Sequence, residues 1–66
     1  MRISKRDVGR WCTVKYDDVG RIDALIVDVN PDDKNVDIFA PAFEGEGTNN
    51  VDFSQVKELR DYVEVK

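Results

Sequence analysis

The residues able to do chemistry in this chain are aromatic rings and carboxylates, because the other reactive types are almost absent. There is no histidine, so the commonest general base near neutral pH is missing. The single cysteine, Cys12, can form no internal disulfide, and without histidine the usual zinc sites are excluded. Cys12 reads as a buried, inert strand residue, and one thiol suits a reducing cytoplasm. Asp17, Asp18 and Asp23 are the nearest approach to an acid–base cluster. Neighbours on a strand point to opposite sides, and no nucleophile or glycine-rich phosphate loop accompanies them, so they read as turn and rim residues. Asp28-Val29-Asn30-Pro31-Asp32 opens like a calcium loop, but Asp33 stands where glycine is required and Phe39 where the bidentate glutamate belongs. The reading is therefore non-enzymatic, with no cofactor and no metal.

What remains is recognition. Trp11, Tyr16, Phe39, Phe43, Phe53 and Tyr62 are the aromatic residues. Phe53, between Val51 and Val56, reads as core. Tyr16, Phe39 and Phe43, bordered by Asp18, Asp23 and Glu44, form the predicted partner-binding set: rings supply apolar area and carboxylates select a cationic partner. The charge distribution agrees. Residues 1–21 carry six basic and three acidic side chains, and residues 22–66 carry four basic and eleven acidic ones, within a net charge of -4. An acidic body opposes broad binding to nucleic acid and favours a protein or basic peptide. The alternative site is the basic segment Arg2, Lys5, Arg6 and Arg10, interrupted by Asp7, which would touch nucleic acid. No run approaches the roughly 20 apolar residues of a membrane span, and MRISKRDVGR lacks the apolar stretch of a signal peptide.

These side chains must be positioned by a small sheet. Sixty-six residues make one domain with a marginal core, read as a polar lead-in over 1–7 and a single unit over 8–66. Arg10 to Tyr16 alternates and is rich in β-branched and aromatic residues, with Cys12, Val14 and Tyr16 on one face and Trp11, Thr13 and Lys15 on the other. Asp17-Asp18-Val19-Gly20 is a turn. The next strand, Arg21 to Val29, alternates until Leu25-Ile26-Val27, an apolar run that predicts a sharp bend serving two sheets. A loop over Asn30 to Asn35 leads to a third strand, Val36 to Ala40, which Pro41 ends. Residues 42–50 read as a flexible loop and Val51 to Phe53 as a short fourth strand. Ser54 to Leu59 reads as one helical turn capped by Ser54, and Asp61 to Lys66 as a fifth strand closing the sheet. This is an all-β, five-stranded SH3-like small barrel.

VGRWCTVKYDDVGRIDALIVDVNPDDKNVDIF resembles the start of a Tudor domain within the SH3-like barrel superfamily. The shared residues are Val8-Gly9, Cys12 to Tyr16, Asp17-Asp18 with Gly20, Ala24, Ile26 and Val29, then Val36 to Phe39 and Val51 to Leu59. The resemblance implies an aromatic cage for a methylated lysine or arginine, with Tyr16, Phe39 and Phe43 at three cage positions. At a fourth position, where an aromatic is usual, this chain has Ile22 or Asp23. Barrels of this size are similar to accessory proteins of phages and mobile elements, an analogy of fold and length.

Overall fold

The computed structural model describes residues 2–43 and 45–64. Five antiparallel strands form one sheet: β1 (Arg10–Tyr16), β2 (Gly20–Asn30), β3 (Asn35–Phe39), β4 (Thr48–Asp52) and β5 (Val56–Tyr62). Their order is β4-β3-β2-β1-β5, a four-strand meander with the last strand returning beside the first. The only helical pieces among the described residues are 3-10 turns at Lys5–Asp7, Pro41–Phe43 and Phe53–Gln55. No helix among them is long and apolar enough to cross a membrane.

The core follows the predicted inward faces. Cys12 and Val14 of β1, Ala24, Ile26 and Val29 of β2, and Val36 and Ile38 of β3 are fully buried, joined by Ile3, Ala40, Val51 and Val56. Along β2 the buried positions change phase, from Ala24 and Ile26 to Val29. The cause is a bulge. The β2–β3 register runs Ile26↔Ile38 and then Asp28↔Asp37, leaving Val27 without an opposite residue. An unopposed residue bends its strand and raises the local twist. It also lets one strand serve two partners. β2 pairs with β1 from Gly20 to Leu25 and with β3 from Leu25 to Asn30, so Leu25 sits opposite both Trp11 and Phe39. The Leu25-Ile26-Val27 run thus encodes a change of phase: Ile26 faces the core, Leu25 the other side, and Val27 is exposed at the bulge.

The β1–β2 turn ends at Gly20, whose φ of +78° is the left-handed region that a side chain disfavours. A Cβ there would touch nothing within 4 Å. Gly20→Ala therefore isolates the backbone cost, and urea denaturation should show a loss of about 1–2 kcal/mol. A loss indistinguishable from zero would mean that the turn relaxes freely.

Several boundaries differ from the expectation. The helical turn is Phe53–Gln55, and residues from Val56 onward are already strand, so β5 begins five residues earlier than predicted and ends at Tyr62. Asp52, not Ser54, precedes the turn, and its backbone N–H donates to Gln55 Oε1 at 3.0 Å. Val65 and Lys66, the end of the predicted strand, lie outside the described residues. β4 begins at Thr48, within the segment expected to be loop, because Thr48 to Val51 pair in register with Phe39 to Val36. The hydrogen-bonded sheet is also open rather than closed: β4 and β5 are its two edges. β5 shifts register twice against β1, which turns it off a regular ladder. Both edges are instead protected by composition, with Lys57, Glu58, Arg60 and Asp61 on β5 and Thr48, Asn49, Asn50 and Asp52 on β4.

The polar lead-in is docked. Ile3 is buried in the core, and Asp7 is buried against the 3-10 turn. The Asp7 carboxylate accepts the Ser4 backbone N–H at 2.9 Å and an Arg10 guanidinium N–H at 3.3 Å. Tyr62 lies under the Arg10 guanidinium at 5.3 Å and donates its hydroxyl to the Arg6 carbonyl.

Candidate binding site

The predicted site residues divide between two places. Tyr16 continues the inward face of β1, and Phe43 is brought back by the Pro41–Phe43 turn. Their rings meet edge to face, with centroids 5.4 Å apart and planes at 80°. Both are half-buried and pack on the core. Burial raises the Tyr16 pKa above its ordinary value, and the carboxylates of Glu46 and Asp18 add to the shift. Asp18 is exposed and accepts the Val19 backbone N–H at 2.9 Å, which fixes its own turn. Glu44 lies outside the described residues.

Phe39 lies on the opposite, outward face, as its alternation with Val36 and Ile38 predicts, and it is 41% exposed. It therefore does not join Tyr16 and Phe43 in a three-ring cage. Its neighbours are set by register. Trp11, Leu25 and Phe39 stand directly opposite one another across β1, β2 and β3, so their side chains share one face. The next outward row is Thr13 and Asp23. There Arg60 donates from Nη2 to Asp23 Oδ1 at 2.7 Å, from Nη1 to Thr13 Oγ1 at 3.3 Å and from Nη2 to the Cys12 carbonyl at 3.4 Å. The hydrogen bond to Asp23 is the main cause of an Arg60 pKa held above its ordinary value.

An open groove of about 670 Å³ lies against these rows, lined by Trp11, Ile22, Asp23, Pro41, Ala42, Arg60 and Asp61. The bend in β2 explains it. Upstream of Leu25, β2 no longer pairs with β3, and the chain after Phe39 continues as Pro41-Ala42, which cannot extend the ladder because proline has no N–H. The far wall is a second bulge. Between the pairs Arg10↔Tyr62 and Cys12↔Leu59, the one residue Trp11 faces two, Arg60 and Asp61. Apolar side chains thus line the groove together with two carboxylates, Asp23 and Asp61, and one guanidinium, Arg60, already engaged with Asp23.

Of the predicted set, only Asp23 and Phe39 belong to this outer surface. Trp11, Leu25, Pro41, Arg60 and Asp61 are additions. Part of the signal was present in the chain: pairing Tyr16 with Gly20 across the turn and counting back places Trp11 opposite Leu25. Arg60 depends on the bulged β5 register, which nothing local announces. No family model matches the chain, and no curated protein or solved structure is significantly similar to it.

Proposed function

We propose that the chain is a non-enzymatic binding module that receives a protein or peptide segment on the outer face around Phe39. Its fold is read as an SH3-like, Tudor-like small barrel. The strand order β4-β3-β2-β1-β5, a β2 that serves both halves, and a 3-10 turn just before the last strand favour that assignment. The observation that carries the functional reading is the Trp11–Leu25–Phe39 row, an outward apolar strip of exposed Phe39 with half-buried Trp11 and Leu25 beside an open groove. Such strips on otherwise charged surfaces mark interaction sites. Affinity arises from covering the rings, whereas Asp61, the groove carboxylate that is not paired with Arg60, selects a partner with a basic residue.

The test is a heteronuclear NMR titration with a panel of lysine- and arginine-containing peptides. The expected result is a set of shifts at the Trp11 indole, Asp23, Leu25 and Phe39, with Phe39→Ala weakening binding roughly 30-fold, the scale of a hot-spot truncation of about 2 kcal/mol. Phe39 is exposed, so the variant keeps the fold. Shifts confined to Tyr16 and Phe43 would move the site to the inward pair. An unperturbed outer face throughout the panel would sink the proposal.

A further inference from the structure

The docked N-terminal segment borders a second, partly open cavity of about 520 Å³, lined by Arg2, Ile3, Ser4, Arg6, Asp7, Arg10 and Leu59 and sharing no residue with the groove beside Trp11. We infer that this cavity is an oxyanion site, which takes a phosphate group between the guanidinium groups of Arg2 and Arg6 above an apolar floor of Ile3 and Leu59. It is separate from the Phe39 surface and does not depend on the reading given for that surface.

The argument starts from how the charges are spent. Three arginines and one aspartate line the cavity. The Asp7 carboxylate is consumed, accepting from Ser4 and from Arg10. Arg10 is consumed as well, by Asp7, by the Arg60 carbonyl at 2.7 Å and by the Tyr62 ring. Among the described residues neither Arg2 nor Arg6 forms an ion pair. Two guanidinium groups therefore border one cavity with their charge uncompensated, in a molecule whose remaining charge is strongly negative.

The mounting is also fixed. Ile3 is buried in the core, Asp7 closes the turn on Ser4, and the Arg6 carbonyl accepts the Tyr62 hydroxyl. A segment anchored on both sides of Arg6 holds its side chain over the cavity at reduced entropic cost. Guanidinium forks match the oxygens of a phosphate in pairs, which a lysine cannot do. Lys5, the other cation of this segment, is instead engaged with Asp28 at 3.2 Å. The acidic body restricts the ligand to one that places a single phosphate here, since a long phosphate backbone crossing the rest of the surface would be repelled.

The experiment is a titration of the full chain with inorganic phosphate at low ionic strength, followed by amide and arginine side-chain NMR, with sodium chloride of equal ionic strength as the reference. Saturable shifts at Ile3, Ser4, Arg6, Asp7 and Leu59 that chloride does not produce are expected. Arg2→Gln and Arg6→Gln should each weaken binding roughly tenfold. Arg6→Lys, which keeps the charge and loses the fork, should weaken it measurably. Arg21→Gln, on the outer face of β2, should leave it unchanged. Equal shifts with chloride, an equal loss in Arg21→Gln, or no saturation would each overturn the site. A second arm separates the sources of the phosphate. A short oligonucleotide that needs its 5′-phosphate to move these resonances assigns a terminal group, and one that does not assigns a backbone phosphodiester.

Discussion

Ile26→Ala should cost about 2–5 kcal/mol, the range for truncating a buried isoleucine that leaves a cavity. Ile26 is fully buried, pairs with Ile38, and its carbonyl accepts the Gly9 N–H at 2.8 Å. It is the last core residue of β2 before the bulge, so its side chain packs where the two halves of the sheet diverge. A domain of this length holds roughly 3–10 kcal/mol in all, and the substitution removes a large share of it. The thermal midpoint should fall by about 8–40 °C, because each kcal/mol moves a domain this small by roughly 4–8 °C. The neighbouring Val27→Ala is the control. Val27 is exposed at the bulge, and its truncation should stay within about 0.5 kcal/mol. The contrast tests the phase of β2 directly: equal losses at Ile26 and Val27 would refute the bulge.

The same strand shows what the chain discloses and what it hides. β1 and the start of β2 were legible because one face is buried and the side-chain period of 2 is strict. Cys12, Val14, Ala24 and Ile26 fall where alternation puts them. The Leu25-Ile26-Val27 run reads as a bend serving two sheets; there is one sheet, and the run instead marks the bulge where β2 passes from pairing with β1 to pairing with β3. Beyond Ala40 the local signals weaken. Asn49 and Asn50 have poor strand propensity, and the segment reads as loop, yet Thr48 to Val51 pair with β3 because Val36 and Ile38 need a covered edge. Asn50 gains something local from the pairing, donating to Asn35 and Asp37 at 3.0 and 2.9 Å. The start of β5 was hidden for a related reason. Lys57-Glu58-Leu59-Arg60 has good helix formers, and its strand state comes from pairing with β1, a contact made about 45 residues away in sequence. The outer surface inherits this limit. Phe39 could be placed by alternation alone, whereas the groove needs Arg60 and Asp61 in a register that only the assembled sheet defines.

Alkaline pH should destabilise the fold through Cys12. The thiol is fully buried on the core side of β1, and burial pushes its pKa up from 9.0 to about 11; Arg60 draws it down and Asp23 adds to the rise. The folded state therefore keeps the proton longer than the unfolded chain does. Below pH 9 neither state is ionised and the group contributes its full share of stability. Between about pH 9 and 11 the unfolded thiol ionises while the folded one does not, and stability falls by up to about 1.4 kcal/mol per pH unit, roughly 2–3 kcal/mol in total. Tyr16, whose pKa is raised by burial, Glu46 and Asp18, adds a loss of the same sign at higher pH. Urea midpoints measured from pH 8 to 11 on the wild-type chain and on Cys12→Ala separate the two. The variant should start less stable, because a buried sulfur has been removed, but its stability should stay nearly flat until Tyr16 adds its loss at higher pH. Thiol labelling gives an independent reading: at pH 8 a buried thiol with this pKa should react only as fast as the chain unfolds. Parallel slopes for the two proteins would show that the alkaline loss arises elsewhere and that Cys12 ionises as freely in the fold as outside it.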